Sequence, residues 1–519
     1  MNNLKHTPLA NTDSYKLSHA LQYPEKTQYV YSNFTPRRSR IPGQDRVVLF
    51  GLQAAVAKMV EDFDTNFFKL GKSEAVSNFV NFYNTFLGTK ECPLVDLIAK
   101  LHDYGRLPLS IAGLREGLSV THGVPMFVMF NTNEDFYWLT NYLETYISSQ
   151  VWHPCTSATT SMYYHKLLQK YYDKTGSSEL GFIVDFQAHD FSFRGQTSLE
   201  SAAASGAAHA IFSKGSDTCP ALMFLSKYYR YDADTLVITS VPATEHSVMC
   251  AGMNYDGDEA SDFDILKRVI FDVHPTGIVS VVSDSFDFWR LVTEYLPELK
   301  DRIMARDGKV VIRPDSSPKT PVEILVGDPE AQPGSAEFKG LIECLWDTFG
   351  GKVNDKGYKE LDSHIGAIYG DSITLEYLEQ ILAGLEAKGF ASTNIVLGVG
   401  SFTYQYCTRD THGFAMKATY VQIDGKGKEI FKDPKTDNSG KKSAKGMVFP
   451  TVHPTADDFH AMVFDDIQNV YEVSVTSPYH RLYLNDGRIT DEQNFDEVRV
   501  LGNFSLVLTE PNENIEVAE

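Results

Sequence analysis

Two textures of hydrophobic and polar positions succeed one another along this chain. Up to about residue 150 the apolar positions are largely aromatic and fall in stretches of helical length, richest at 78–87 and 135–151. This part reads as mostly helical, with its rings assigned to a core because each buries a large apolar area. From about residue 180, short apolar runs alternate with helix-like segments. The candidate strands are 181–186, 236–239, 278–282, 310–312, 365–369 and 395–397. This rhythm predicts βα units and a parallel sheet.

The residues just beyond each run sharpen the picture. The successive exits read QAHDFSFRG, SVPATEHS, SDSFD, RPDSS, GDS and GVGS. One polar loop is ordinary in any α/β protein. Six in series, each with His, Asp, Arg or Gly at the strand end, predict an irregular parallel αβ barrel, TIM-like, whose βα loops converge on one site. The helix-like segment QTSLESAAASGAAHAIF opens with Thr197 and Glu200 at capping-box spacing and continues in small residues suited to close packing. A Gly-, Pro- and Asp-rich stretch at 326–364 reads as an insertion carrying a helix over Ala336–Phe349. After about residue 405, strands and lysine-rich loops take over. The expected division is 1–178, 179–404 and 405–519.

Composition narrows the function classes. The 519 residues suit two domains or one large domain with a satellite, and a content of 43% hydrophobic and 22% charged residues suits a globular protein. A formal net charge of −21 argues against nucleic-acid or anionic-membrane binding. Positive charge is gathered locally instead: residues 426–445 hold seven lysines against three acids. Six scattered cysteines without a CxxC pair indicate neither a zinc site nor a disulfide framework. With no signal-peptide pattern and no apolar run of membrane length, the cytoplasm is the expected location.

The strand exits carry phosphate chemistry. The glycines of GDS (370–372) and GVGS (398–401) let backbone N–H groups approach an anion. Thr374 or Ser372 could cap the next helix. Arg194, Arg313 and Arg409 suit bidentate contacts to phosphate or carboxylate. Asp284, Asp287 and Asp315 could bind Mg²⁺ through water or grip sugar hydroxyls. Paired carboxylates also occur in glycosidases, but arginines, glycine loops and lysines favour a phosphorylated substrate. These residues leave the reaction open.

The motifs HDFSFRG (189–195), KGSDT (214–218), VPATEHS (241–247), VSVVSDSFD (279–287), IRPDS (312–316), YGDS (369–372), TRD (408–410) and FKDP (431–434) occur in an order that resembles the nicotinate/nicotinamide family of type II phosphoribosyltransferases. NTDSYKLSHALQYP (11–24) resembles the start of such an enzyme, and the likeness runs to the early 490s. It implies a barrel-like domain flanked by an α+β domain built from both chain ends. It implies a homodimer with shared active sites, and the reaction of nicotinamide with phosphoribosyl pyrophosphate to give nicotinamide mononucleotide and pyrophosphate. Mg²⁺ is the implied cofactor and ATP the implied co-substrate.

Residue by residue, the resemblance implies that the pyridine ring stacks between Phe191 and Tyr15 of a partner subunit. Asp217 faces the carboxamide, accepting from its NH₂ and repelling the carboxylate of nicotinic acid. Arg194 and Arg313 lie near the ring and the ribose 5-phosphate, and Asp315 meets the ribose hydroxyls. Asp287 supports the Mg²⁺–pyrophosphate end, and either Asp287 or Asp315 could reach the metal. Gly370, Asp371, Gly400 and Ser401 cradle the 5-phosphate. Arg37, Arg409 and Lys432 meet pyrophosphate or nucleotide phosphates, with Arg37 crossing from the other subunit. His189, Ser283 and Asp13 join the substrate site. His246 is the histidine that ATP phosphorylates, a fit nucleophile when neutral. Two departures stand out. The family's Gly-Ser-Gly-Gly run is Gly398-Val399-Gly400-Ser401, and the lysine expected about eight positions after FKDP falls on Gly440, with Lys441 or Lys442 beside it. The alternatives are a nicotinate-specific enzyme and a non-catalytic nucleotide-binding sensor on the same fold.

Overall fold

The computed structural model describes residues 4–232, 234–252, 260–370, 372–431, 444–453, 458–490 and 492–508. Asp371, Lys432, Gly440, Lys441 and Lys442 lie outside the described residues. The chain forms two compact units. The first comprises residues 1–159, 224–232 and 407–519, and the second comprises 160–223 and 233–406.

The first unit is built on a seven-stranded antiparallel sheet. Its strands run in the order Lys426–Glu429, Ala415–Ile423, Thr27–Thr35, Phe127–Asn131, Leu109–Leu114, His480–Asn485 and Arg488–Ile489. The N-terminal third is therefore less helical than its aromatic texture predicts. Sequences such as TQYVYSNFT have the β-branched and aromatic content of a strand, and both faces of this one are largely buried. Helices remain. The stretch at 78–87 lies inside Lys72–Leu87, and 135–151 runs from a 3-10 turn, Glu134–Phe136, into the start of a 39-residue helix, Tyr137–Thr175. The core of this unit gathers Phe34, Phe63, Phe79, Trp138 and Tyr483 among many others.

The second unit holds a curled six-stranded parallel sheet in the order Gly215–Ser216, Ala188–Asp190, Ile395–Val399, Ile365–Tyr369, Gly308–Arg313 and Gly277–Val282. Four of the six expected strands form near their expected bounds. Two do not. Residues 181–186 are helical, in Ser178–Ile183 and Val184–Gln187, and the strand is the adjoining Ala188–Asp190. That tripeptide wins because it pairs on both sides, with Leu397–Val399 and with Gly215–Ser216. Residues 236–239 make only a single bridge, Thr239 to Gly215, and Ala243 makes another to Ser280. This segment thus links the two edge strands of the sheet without forming a regular ladder.

Alternation along the strands separates two environments, as the pleat requires. Val279, Val281, Val310 and Ile312 face outward into the core. Ile278, Ser280, Lys309, Val311 and Arg313 face a cavity on the concave side. The helix Leu199–His209 begins one residue later than the capping box predicts: Ser198, not Thr197, is the cap, its hydroxyl accepting from the Ser201 N–H. The inserted helical segment spans Ala336–Phe349 as expected, but it is kinked at Gly340, whose φ of 78° is not helical. Among the described residues, no helix is long and apolar enough to cross a membrane.

Candidate active site

The concave cavity of the second unit has a volume of about 390 Å³ and reaches the C-terminal strand ends. His189, in the strand Ala188–Asp190, points into it, while Asp190 faces the interior and is fully buried. The His189 Nε2 lies 2.9 Å from Asp217 Oδ1, and the Ser240 hydroxyl donates to the same oxygen at 2.5 Å. Burial pushes the Asp217 carboxyl up. The hydrogen bonds from His189 and Ser240, with the charges of His189 and Arg313, outweigh it and hold the group below the usual carboxylate range. Asp217 is therefore a fixed negative charge on the cavity wall.

Phe191 stands beside it. Its backbone N–H donates to Val399 O at 3.0 Å, and its ring centroid lies 4.8 Å from that of His189. The ring lies across Gly398, where a Cβ would overlap it. Glycine at 398 thus makes room for an aromatic face, a role different from the phosphate contact the motif suggests.

At the next strand exits, Asp284 is the organising carboxylate. Its Oδ2 accepts from the backbone N–H groups of Asp315 and Ser316, at 2.9 and 2.7 Å, and from the Ser316 hydroxyl at 2.5 Å. Its Oδ1, buried without a hydrogen bond, faces His246 Nε2 at 3.6 Å. His246 also has Asp315 Oδ2 at 3.8 Å and Ser285 Oγ at 3.2 Å, and its side chain stays 48% exposed. Arg313 extends from its strand toward Asp315, with 3.5 Å between Nε and Oδ1, and donates to the Thr244 carbonyl. Asp315 in turn packs on Gly370, where a Cβ would collide with Oδ1.

The departure at 398–401 finds its explanation here. Val399 is fully buried on the far side of the strand. The Ser401 hydroxyl occupies the space beside Gly195 that a side chain there would need. Ser372 adopts a φ of 48°, a left-handed turn, and Thr374 caps the helix Leu375–Ala387 by accepting from the Tyr377 N–H.

The structure thus brings His189, Phe191, Asp217, Arg313, Asp315, His246 and Gly370 into one site region, with Gly400, Ser401 and Arg194 on neighbouring loops of the same unit. Two expected residues have their hydrogen bonds turned elsewhere. The Ser283 hydroxyl donates to Val281 O at 2.7 Å, and Asp287 Oδ1 accepts from the Arg290 N–H at 2.9 Å as a helix cap. Sequence reasoning misses Ser240, although its place in SVPATEHS, at a strand exit, is the available signal.

Asp13, Tyr15, Arg37 and Arg409 belong to the first unit. Lys16 anchors their N-terminal segment through a buried 2.9 Å ion pair with Glu144, which leaves the Tyr15 side chain 60% exposed. Asp13 accepts from Thr145 Oγ at 2.6 Å. Arg37 donates through Nε to Gly413 O at 2.8 Å; burial and then the charge of Arg409 lower its pKa. The two guanidiniums therefore concentrate positive charge at one place. Among the described residues there is no group of three or more His, Cys, Asp or Glu side chains arranged to hold a metal ion.

Residues 186–475 match the nicotinate phosphoribosyltransferase family, and residues 8–91 match the N-terminal domain of nicotinamide phosphoribosyltransferase. The chain is 43% identical to a nicotinamide phosphoribosyltransferase of Acinetobacter baylyi, covering 95% of this chain and 96% of that one. It is 33% identical to a nicotinamide phosphoribosyltransferase of Mycoplasma pneumoniae, covering 84% and 93%. In three dimensions it resembles a nicotinate-nucleotide pyrophosphorylase from Pyrococcus furiosus, at a TM-score of 0.55 and 12% identity over 98% of both chains. It also resembles human nicotinic acid phosphoribosyltransferase, at 0.53 and 14% over 96% and 94%.

Proposed function

The chain belongs to the nicotinate phosphoribosyltransferase family, and within it we propose that this enzyme converts nicotinamide and phosphoribosyl pyrophosphate to nicotinamide mononucleotide and pyrophosphate. The observation that carries the choice of substrate is Asp217. An anionic carboxylate, held by His189 and Ser240 beside Phe191, accepts from a carboxamide NH₂ and repels a carboxylate.

The pyridine nitrogen supplies its own lone pair. As its bond to the ribose C1 forms, the C1–O bond to pyrophosphate breaks, and no proton moves. The protein therefore needs no general base, and its work is positioning and charge neutralisation. Phe191 presents an aromatic face to the ring. Arg313 and the backbone around Gly370, Gly400 and Ser401 receive the 5-phosphate, and Asp315 meets the ribose hydroxyls. Mg²⁺ fits as an ion carried on the phosphates, with Asp287 or Asp315 adding a carboxylate, since Mg²⁺ commonly binds through few carboxylates plus phosphate oxygens. Its chemistry there is to neutralise the departing pyrophosphate.

His246 is the residue we assign to ATP coupling. Half exposed, with Ser285 Oγ 3.2 Å from its Nδ1 and the carboxylates of Asp284 and Asp315 facing its Nε2, it is accessible to a γ-phosphate. A phosphoryl group on it would place negative charge where the metal-bound pyrophosphate is organised. The proposal includes closure of the parallel sheet into an irregular barrel through 239–243, and a homodimer in which Tyr15, Asp13, Arg37 and Arg409 complete the partner's site. The exposed Tyr15 ring supports that reading.

The test is nicotinamide mononucleotide formation by wild type and His246→Ala, with and without ATP. Loss of ATP stimulation with retained basal turnover is expected; full stimulation in the variant overturns the phosphohistidine role. Faster turnover of nicotinate than of nicotinamide by the wild type overturns the substrate assignment.

A further inference from the structure

A second cavity, of about 430 Å³, lies wholly within the first unit, and nothing in the transferase reaction uses it. Its floor is one face of the antiparallel sheet. Tyr29 and Tyr31 alternate onto that face. Tyr31 pairs with Tyr420 on one side and Phe130 on the other, and Tyr29 pairs with Gln422. Directly paired residues share a face, so rings line the floor in a row: Tyr31 and Phe130 are buried at its base, and the half-buried Tyr29 and Tyr420 are the ones open to a ligand. Tyr31 and Phe130 stack, with centroids 5.9 Å apart and planes 10° from parallel. The Tyr420 ring packs against Gly427, where a Cβ would come within 2.9 Å of the ring and nearer still to the hydroxyl. The absence of a side chain at 427 is what lets this ring extend the floor.

The opposite wall is the start of the helix Ile467–Thr476, with Tyr471 and the carboxylates of Asp465 and Asp466. Val470, Met447 and Phe449 fill a small core between this helix and the sheet; the cavity is where that core stops. Asp466 Oδ1 caps the helix by accepting from the Gln468 N–H at 2.9 Å, and Asp465 Oδ1 accepts from Asn469 Nδ2 at 3.2 Å. These bonds use one oxygen of each carboxylate. The charge of Asp466 reaches the rings: burial first, then Asp466, raises the Tyr420 hydroxyl pKa. Among the described residues, no lysine, arginine or histidine lines the cavity.

We propose that this slot binds a small flat organic cation, of which an N-alkylated pyridinium is the type. Aromatic faces carry negative electrostatic potential and attract organic cations. Two carboxylates reinforce that preference and exclude phosphorylated ligands. A linear polyamine would meet the carboxylates but leave the ring floor unused. The site takes no part in the transferase chemistry, so this proposal and the catalytic reading stand or fall separately.

Calorimetric titration of the full chain with N-methylpyridinium chloride tests it. Saturable binding is expected at about physiological ionic strength, where surface charge alone is largely screened. Affinity should fall at least about tenfold in Asp465→Asn/Asp466→Asn and in Tyr420→Leu, the scale of a desolvated cation–π contact. Asparagine keeps the helix cap, so an unchanged Tm shows that the double variant is folded. No binding to the wild type, or unaltered affinity in both variants, overturns the proposal. Equal affinity for spermidine or for neutral nicotinamide, lost in the same variants, overturns the assignment to a flat cation.

Discussion

Asp217 concentrates the substrate question in one carboxylate. It is anionic because two hydrogen bonds and nearby positive groups outweigh its burial. Asp217→Asn keeps the shape and removes the charge. The ratio of kcat/KM for nicotinamide over nicotinate should then fall by at least about tenfold, about 1.4 kcal/mol of discrimination. An unchanged ratio would remove Asp217 as the selector. His189, Arg313, Asp315 and His246 are legible in the sequence because their strand exits are polar in series, whereas Asp217, in KGSDT, is legible only through the family resemblance. Ser240 is harder to read: its place in SVPATEHS marks it only as one polar residue at a strand exit, and its role depends on its hydrogen bond to Asp217, 23 residues away. In sequence Asp284 is only one carboxylate among three; that it anchors the 315–316 turn depends on contacts across 31 and 32 residues of chain.

Among elements, the parallel strands show where pattern reading succeeds and where it fails. The run at 365–369 is a strand over the expected bounds, because an apolar segment buried on both faces has one good solution. The run at 181–186 is likewise apolar and is helical, because the pairing partners lie opposite 188–190 instead. Local propensity cannot see that competition. Glycines next to the site are the element-scale constraint. Gly398→Ala would drive a methyl into the Phe191 ring, and Gly370→Ala would drive one into Asp315. Each should cost about 100-fold or more in kcat/KM, the scale of an ångström of misplacement, while Thr374→Ala should cost only about 1 kcal/mol of stability as a lost cap. Steady-state kinetics and thermal melts of the three variants separate the two effects.

Over the whole molecule, the first unit carries an acid-sensitive core. Burial, and then His122, lowers the His412 pKa to about 4. Burial lowers that of His480 to about 4 as well, against a hydrogen bond to Pro450 O. Unfolded histidines titrate near 6.5, so between about pH 6.5 and 4 the unfolded chain binds more protons. Stability from these groups is therefore complete above about pH 6.5 and lost as the pH falls toward about 4. Each should contribute a loss of about 2 kcal/mol by about pH 5. Thermal melts of wild type and His412→Leu between about pH 7.5 and 5 should show the variant with the shallower dependence. An equal slope in both would place the acid sensitivity elsewhere.

The pairing of Thr27–Thr35 with Ala415–Ile423 also sets an order of events during vectorial synthesis. The strand is made early, and its neighbour leaves the ribosome almost 400 residues later. Until then Thr27–Thr35 has no partner along that side, and its TQYVYSNFT sequence is the kind that recruits other chains. The nascent chain is thus exposed to misassociation for most of its own translation, and a ribosome stalled before residue 415 would release a protein with an unsealed sheet. Expression yield should respond more strongly to chaperone supply and elongation rate than the stability of the finished fold would suggest.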